Sequence, residues 1–446
     1  MFLMVLLSTQ VAKAYDGSVI TQNGQTIYYT VYNSRCNIVA PTWDWEGYTK
    51  PTGDLIIPNQ ITHNGETYAV RSIGYEAFAG CNGLTSVRIS DSVEWINLEA
   101  FANCSSLTSV VIGSKVSDIG SLAFFNCSSL SSINIPDNVI SIDSATFRGC
   151  SGLTTVTIGR GISFIGDNAF AECNNLSVVN FNADSCEYMI GYDEINYDTD
   201  FKSVFYVNSG LTTVNIGPSV RSLPEHAFDG CSSLTTVNFN ADSCITMHTT
   251  SFNRCNNLSA VNFGDNVRII PKYAFYECGI TSVVIPDGVT RIGVTAFQNC
   301  SRLTSATIGS SVESIERQAF YNCDHLVNLI SRAVYPPSCG DYVFYNIPQY
   351  CTLTVPCGSM QYYNVTSPWN TIFQLINEDC EGIDDASADI IHISCIDGRI
   401  VVEGGVDMKV SVYDMMGHII RNESLPTGGY MVKVGSLPAH KVVVIR

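Results

Sequence analysis

Charge is scarce in this sequence, and cations are scarcer than anions. Charged residues make up 14% of the 446 positions, where globular domains carry about a quarter. Lys and Arg total 23 against 41 Asp and Glu, which gives a net charge of −18. Binding to a nucleic-acid backbone needs clustered cations, so we expect no nucleic-acid partner. With 46% apolar residues, the chain is also too hydrophobic to be intrinsically disordered.

Long apolar runs and catalytic motifs are missing as well. No stretch reaches the roughly 18 consecutive apolar residues of a membrane helix, so we expect no membrane span. None of the seven histidines forms His-Glu-x-x-His. Neither Gly-x-Ser-x-Gly nor the phosphate-binding Gly-x-x-x-x-Gly-Lys occurs. We therefore expect a protein that is not an enzyme and needs no cofactor.

The first 14 residues have the pattern of a secretory signal peptide. An apolar run over residues 2–7 is followed by Ala12-Lys13-Ala14, a small-x-small cleavage site. This pattern predicts removal of residues 1–14 and a mature chain that is secreted or held on the outer surface of a bacterium.

The 18 cysteines are unusual for their spacing. Ten of them recur at intervals of 22 to 24 residues, in two series: Cys81, Cys104, Cys127, Cys150, Cys173, and then Cys231, Cys255, Cys278, Cys300, Cys323. Such regularity is typical of a solenoid in which each coil is one repeat. We expect these cysteines to be buried free thiols in the core. Cys339, Cys351, Cys357 and Cys380 lie outside the pattern, and the sequence leaves open whether a disulfide forms among them.

The repeat unit reads Ala-Phe-x-x-Cys-x-x-Leu-x-x-Val-x-Ile, and twelve coils can be counted between residues 71 and 355. The alternation in Leu-x-x-Val-x-Ile predicts a strand with one face toward the core, and equivalent strands should pair in parallel. Pro or Gly then turns the chain into a second short extended piece. The inward residues of three representative coils are Phe101, Cys104, Leu107, Phe124, Cys127, Leu130, Phe147, Cys150 and Leu153.

This repeat resembles the Bacteroides-surface-protein-A-like (BspA-like) class of leucine-rich repeats. The unit that carries the resemblance is Ile-Gly-x-x-Ala-Phe-x-x-Cys-x-x-Leu-x-x-Val-x-Ile-Pro-x-x-Val, and it covers the whole array. The resemblance implies a right-handed, helix-poor solenoid of about 12 coils with a parallel β-sheet. It also implies an exported, monomeric protein that adheres to an extracellular protein, host matrix or cell surface. The alternative is a passive structural component that acts as a spacer without a specific partner.

Both ends of the chain depart from the repeat. Residues 15–70, which contain a hairpin pattern around Asn23-Gly24, are interpreted as an N-terminal cap, ahead of the solenoid over 71–355. Residues 356–389 are interpreted as a C-terminal cap and linker, with the linker over Asn377–Asp389. Residues 390–446 carry turns at Asp397-Gly398 and Met416-Gly417 and predict a small antiparallel β-sandwich. This last region resembles the sorting domain of the type IX secretion system, which implies cleavage in the linker.

An insertion interrupts the fifth coil, where Leu176 and Leu211 are 35 residues apart instead of 23. The interruption, placed around residues 185–200, carries tyrosines and carboxylates. We predict a protein-binding site there, made by Tyr188, Tyr192, Tyr197, Asp193, Asp198 and Asp200. Glu194 adds to its negative charge. A calcium loop is the weaker interpretation, because the motif around Asp198 and Asp200 lacks a third oxygen ligand and a turn glycine, so no metal is expected.

The outward face of the predicted strands offers a contrast. It carries mainly Ser, Thr and Asn, for example Thr155 and Thr157. Binding hot spots favour Trp, Tyr and Arg, so this face is expected to be a poor binder.

Overall fold

The structure is a computed structural model. It describes residues 15–380 except 43, 190–203, 206–207, 209, 243, 245, 249–250 and 253–254, together with six strands between residues 392 and 444. The signal-peptide prediction, on residues 1–14, lies outside the described residues. The chain divides into one unit that ends at Asp379 and a second that begins at Cys380.

In its described residues the first unit is a β-solenoid with two rows of parallel strands, each row divided into three hydrogen-bonded sheets, and its two helices are single turns, Met360–Tyr363 and Trp369–Ile372. Each coil supplies one strand to a long-strand sheet. These strands, including one from each end of the unit, are Gly53–Ile56, Leu84–Arg88, Ser109–Val111, Ser132–Asn134, Thr155–Ile158, Val178–Phe181, Thr213–Ile216, Thr236–Phe239, Ala260–Phe263, Ser282–Val284, Ser305–Ile308, Asn328–Ser331, Thr352–Pro356 and Leu375–Asp379.

Each coil also supplies a two-residue strand to a second, short-strand sheet. Its strands, which start from a longer N-terminal one, are Glu66–Ile73, Trp95–Ile96, Asp118–Ile119, Ser141–Ile142, Phe164–Ile165, Tyr188–Met189, Ser222–Leu223, Thr246–Met247, Ile269–Ile270, Arg291–Ile292, Ser314–Ile315 and Ser338–Cys339. The predicted solenoid of about 12 coils is thereby confirmed, and the second extended piece of each coil forms a sheet of its own.

The alternation of the repeat sets which residues face the core. In the strand Thr155–Ile158, Val156 and Ile158 are fully buried while Thr155 and Thr157 are partly exposed. Val156 lies beside Val179 of the next coil in parallel register. Because every coil repeats the pattern, like side chains stack from coil to coil.

A ladder of twelve phenylalanines forms the centre of the core. Successive rings stack with centroids 5.1 to 6.0 Å apart and nearly parallel planes, from Phe78 to Phe344. Trp45 lies against the first ring and Trp369 against the last. The core residues predicted for the three representative coils are all fully buried.

The periodic cysteines line the same core as free, buried thiols, as predicted. Each of several donates its S–H to the carbonyl of a phenylalanine 25 to 27 residues earlier; Cys104, for example, lies 3.2 Å from the Phe78 carbonyl. The thiol thus fills space and adds a second hydrogen bond to a turn carbonyl, since the Phe78 carbonyl also accepts the N–H of Cys81 at 3.1 Å. Cys186 and Cys244 are buried too, as expected for residues that replace the inward valine.

The ends of the unit close both sheets. At the N-terminus, Gly17–Ile20, Thr26–Tyr32 and Arg35–Val39 precede Glu66–Ile73 in the short-strand sheet, and Gln60–His63 pairs antiparallel with Glu66–Ile73. Gly17–Ile20 and Thr26–Tyr32 form the predicted hairpin, with Gly24 at φ +78° in its turn. At the other end, Leu375–Asp379 adds a parallel strand beside Thr352–Pro356.

This last strand corrects one boundary. Asn377–Asp379 were expected to belong to an exposed linker, but they pair with Thr354–Pro356. Ile376 packs against the core, and this contact holds the strand Leu375–Asp379, with Asn377–Asp379, in the sheet. Cys357 and Cys380 are disulfide-bonded, whereas Cys339 and Cys351 are free thiols. The sequence left open whether these four cysteines include a disulfide, and the structure has Cys357 and Cys380 disulfide-bonded.

The second unit contains antiparallel strands. His392–Ile396 pairs with Arg399–Glu403. The predicted turns at Asp397-Gly398 and Met416-Gly417 lie outside the described residues. A four-stranded sheet has the order Ile419–Ile420, Val410–Tyr413, Gly428–Val434, His440–Val444. Packing of these sheets into a sandwich stays a prediction.

Candidate functional site

The short-strand sheet is interrupted twice, and both interruptions have a proline at the same position of the coil. In regular coils the residue after the inward isoleucine donates its N–H to the inward residue of the preceding coil. Gly120 donates to the Ile96 carbonyl at 2.7 Å, and Gly166 donates to that of Ile142 at 2.8 Å. Pro224 and Pro271 occupy this position in their coils. Because proline has no N–H, the ladder ends there.

The boundaries between the short-strand sheets coincide with these two prolines. One sheet ends at Tyr188–Met189, the next contains only Ser222–Leu223 and Thr246–Met247, and a third begins at Ile269–Ile270. The phenylalanine ladder runs on without a break through the same coils. The long-strand sheet is divided as well, between Ser109–Val111 and Ser132–Asn134 and between Ala260–Phe263 and Ser282–Val284. The interruptions therefore affect the sheets and leave the phenylalanine core intact.

A groove of about 600 Å³ lies along the interrupted surface. Its lining combines apolar, aromatic and charged side chains from four successive coils: Glu187, Tyr188, Met189, Leu223, Pro224, Glu225, Met247, His248, Lys272 and Tyr273. The Lys272 ammonium lies 5.9 Å from the centre of the Tyr273 ring. Mixed chemistry of this kind is typical of surfaces that bind other molecules.

Tyr188 is the one residue of the predicted binding site that the structure describes. It belongs to the regular strand Tyr188–Met189, with Met189 buried and the Tyr188 ring 54% exposed on the groove. The coil is thus regular through Met189, so residues 185–189, expected to belong to the insertion, belong to the repeat. Cys186 and Met189 are both buried at the spacing of Val116 and Ile119 in an earlier coil.

The other predicted site residues are Tyr192, Tyr197, Asp193, Asp198 and Asp200, and Glu194 accompanies them. All of them lie outside the described residues. The chain returns to the core at Phe205, whose ring stacks on Phe170 at 5.3 Å. The last described residues before the insertion, Tyr188 and Met189, line the groove.

The outward face of the long-strand sheet has its polar groups engaged with one another. Asn262 donates to Asn238, Asn238 to Asn215 and Asn215 to Asn180, at 2.6 to 2.8 Å. Asn180 in turn donates to the hydroxyl of Thr157 at 3.1 Å. A side-chain ladder of this kind leaves fewer groups free for a partner.

Another aromatic surface, which the sequence reasoning missed, lies near the end of the array. Tyr321 and Tyr345 stack with ring centroids 5.1 Å apart, and Tyr342 meets Tyr345 edge to face at 6.0 Å. Tyr342 and Tyr345 are 64% and 54% exposed. Tyr342 lies two residues before the core Phe344 and Tyr345 lies one after it, and these positions are buried in other coils, as Ala102 and Thr295 are, so the repeat alone does not mark them as exposed.

Burial and disulfide bonding determine the chemistry of the described cysteines. Burial raises the pKa of Cys81, Cys173 and Cys300 to about 12, which keeps these thiols protonated and unreactive. The closest group of three potential metal ligands in the described part of the chain includes Cys357 and Cys380. Their sulfur atoms are disulfide-bonded and so are not available as thiolates. Within the described residues, no helix is long and apolar enough to cross a membrane.

Comparison with known families agrees with this architecture. The family described as "BspA type Leucine rich repeat region" matches the chain in six copies, over residues 70–192, 199–304 and 268–367. No curated protein matches the chain.

Solved structures of bacterial leucine-rich repeat proteins are similar to it. One from Bacteroides ovatus is 24% identical, with 74% of this chain and 77% of that chain covered and a TM-score of 0.39. A leucine rich cell surface protein from Faecalibacterium prausnitzii is 26% identical, with coverages of 71% and 95% and a TM-score of 0.28. A leucine-rich repeat protein from T. pallidum is 19% identical, with coverages of 62% and 87% and a TM-score of 0.33.

Proposed function

Because the chain belongs to the BspA type leucine-rich repeat family, we propose that it is an exported protein that binds another protein at the cell surface or outside the cell. Solenoids of this kind present long surfaces built from many coils, which suit protein binding. The pattern of residues 1–14 supports export. The fifteen free cysteines of the described residues are compatible with an oxidising compartment because fourteen of them are buried.

We place the partner site at the groove and the insertion beside it. The observation that carries this proposal is the exposed Tyr188 ring on a groove that begins where the insertion leaves the solenoid. Tyrosine offers a large amphipathic contact area at a small entropic cost. Tyr192 and Tyr197 would add to it, and Asp193, Asp198 and Asp200 would favour a basic patch on the partner.

Binding to a panel of immobilised matrix and mucus proteins tests the proposal. The full chain should bind at least one of them, and Tyr192→Ala with Tyr197→Ala should weaken that binding by about 2 kcal/mol or more. Tyr188→Ala should weaken it as well. The association should also weaken as salt is added, because the site is acidic.

Thr155→Ala with Thr157→Ala is the matched control on the long-strand sheet and should change binding little. The opposite ranking would move the site to that sheet and contradict the proposal. Circular dichroism of each variant separates a lost contact from a lost fold.

A passive spacer is the second candidate function. The ladder of Asn180, Asn215, Asn238 and Asn262 favours it, since these side chains bond to one another. If no protein of the panel binds and replacement of the insertion changes nothing in the attachment of cells, the spacer function is the better description.

We also propose that residues 390–446 act as a type IX sorting domain and are removed after export. The cleavage segment would be residues 381–389, because Leu375–Asp379 is engaged in the sheet. Mass spectrometry of protein released from the native cell should find C-termini in this segment. Recovery of only full-length chains that end at Arg446 would instead favour a retained accessory domain.

A further inference from the structure

Tyrosines gather at one turn of the last coils, on a surface that the groove does not include. Tyr342 and Tyr345 flank the buried Phe344, and their rings meet edge to face at 6.0 Å. Both tyrosines are more than half exposed. The equivalent positions of other coils hold small, buried side chains such as Thr295 and Ala102. Because tyrosine is much longer than threonine or alanine, these two rings extend beyond the surface of the coil.

The preceding coil holds one of these rings in place. Tyr321 stacks on Tyr345 with ring centroids 5.1 Å apart and ring planes 12° from parallel. Tyr321 is itself only partly exposed, so it supports the outer ring. An aromatic ring that is fixed before a ligand arrives loses little conformational freedom on binding. Tyr321 is thus a positioning residue for Tyr345.

Polar groups without a partner lie beside the rings. Asn346, which follows Tyr345, donates to the side-chain oxygen of Asn322 at 2.5 Å, and Asn322 donates to that of Asn299 at 3.1 Å. Among the described residues, the side-chain oxygen of Asn346 and the hydroxyls of Tyr342 and Tyr345 have no hydrogen-bond partner. A ligand can therefore bond to three exposed groups without breaking a bond within the protein.

This surface carries little net charge. Asp341 is the only charged residue between Gly340 and Tyr350. Arg317 has the same position in the preceding coil, and the two coils are adjacent here, because Gln318 donates its N–H to the Asp341 carbonyl at 3.0 Å. Since one charge of each sign accompanies the rings, electrostatic complementarity favours a neutral ligand.

The size and chemistry of the surface point to a sugar. A tyrosine supplies roughly 150–250 Å² of contact area, so the two exposed rings give about half of the ~800 Å² per partner in a standard protein interface. The C–H groups of a sugar ring carry a slight positive charge and pack on the negative face of an aromatic ring. Sugar hydroxyls donate to hydroxyl and amide oxygens.

We propose that Tyr342, Tyr345 and Asn346, supported by Tyr321, form a tyrosine platform that binds a neutral carbohydrate chain. The rings would contact the C–H faces of the sugars, and the Asn346 oxygen and the tyrosine hydroxyls would bond to sugar hydroxyls. The platform goes beyond the proposed protein binding and does not depend on it, since it uses other coils and a ligand of another class.

Retardation of the full chain in native gels that contain a soluble polysaccharide tests the platform. The neutral probes are a β-glucan, a starch-type α-glucan and a mannan, and heparin is the anionic probe. At least one neutral probe should retard the chain, and Tyr342→Ala with Tyr345→Ala should weaken that binding by about tenfold or more. Tyr345→Phe keeps the ring and should retain most of it. Salt should have little effect, whereas it should weaken binding of a protein at the acidic groove.

Tyr75→Ala is the matched control. Tyr75 is a 70% exposed tyrosine of the first coil and has no ring contact among the described residues. Its removal should leave polysaccharide binding unchanged, and circular dichroism should show that each variant keeps its fold. The proposal is overturned if no neutral probe retards the chain, if only heparin does, or if the double variant binds as well as the original chain. An equal loss in Tyr75→Ala would also overturn it. If the double variant instead loses a protein of the panel and no polysaccharide binds, the surface is a protein site.

Discussion

The phenylalanine ladder and the short-strand sheet pass through the same coils but respond differently to the irregular ones. The rings of Phe170 and Phe205 stack at 5.3 Å although the chain between them contains the insertion. The short-strand sheet ends at Tyr188–Met189 and resumes only in separate pieces. Ring stacking needs only a phenylalanine at the inward position of each coil. A strand ladder needs a backbone N–H at the equivalent position of each coil, and Pro224 and Pro271 lack one. The solenoid can therefore vary one surface without disturbing its core.

The largest effect should follow from removing a ring of the ladder. Phe147 is fully buried between Phe124 and Phe170. Phe147→Ala leaves a cavity and should lower the free energy of unfolding by about 3–5 kcal/mol, measured by denaturant titration. Ser132→Ala, on the exposed face of a neighbouring strand, should change it by less than about 0.5 kcal/mol. Equal effects of the two variants would contradict the conclusion that the phenylalanine ladder stabilises the core.

Alkaline pH should weaken the core through its thiols. Burial raises the pKa of Cys81, Cys173 and Cys300 from 9.0 to about 12, so the unfolded chain loses these protons first. The stabilisation is complete below pH 9 and is lost as the pH rises from 9 toward 12. Each thiol contributes a slope of about 1.4 kcal/mol per pH unit in that window. Unfolding titrations at pH 8 to 10.5 measure the slope.

Replacing all three cysteines by alanine should make this pH dependence less steep, although the variant is less stable at every pH. Thiol titration of the unfolded, unreduced chain is an independent check and should find at least the fifteen free groups of the described residues. A count close to zero would show that the periodic cysteines are oxidised.

Shortening the insertion should stabilise the solenoid slightly. Residues 190–203 can be replaced by Gly-Asp-Asn, the residues that join Ile165 to Ala169 in the preceding coil. Because Phe170 and Phe205 already stack, the shorter loop costs less closure entropy, and the free energy of unfolding should rise by about 1 kcal/mol. A large loss of stability would show that the insertion is part of the core. The same variant should lose partner binding.

The smallest effect on stability is expected when a missing donor is restored. Pro224→Gly places at this position the residue found in many other coils. The gain of a ladder hydrogen bond, about 1 kcal/mol, is offset by the flexibility of glycine, so the free energy of unfolding should hardly change. Hydrogen exchange should nevertheless find the new amide protected. Rapid exchange at residue 224 would mean that the insertion, and not the proline, separates the two sheets.

The amino-acid sequence alone determined the repeat, the number of coils, the inward residues and the free state of the periodic cysteines. Each of these depends on a recurring pattern. Phe, Cys and Leu that recur once per coil must all face the same side of the coil, which is the core. The hairpin at Asn23-Gly24 could be predicted for a similar reason, because its turn is local.

Only the tertiary structure decided how adjacent coils of different sequence contact each other. Pro224 and Pro271 are visible in the sequence, but their effect depends on which carbonyl of the preceding coil each one faces. Likewise Tyr321 and Tyr345 stack because residues in adjacent coils are brought side by side. Such contacts belong to neighbouring coils rather than to a single repeat, and they follow from the register that the core imposes.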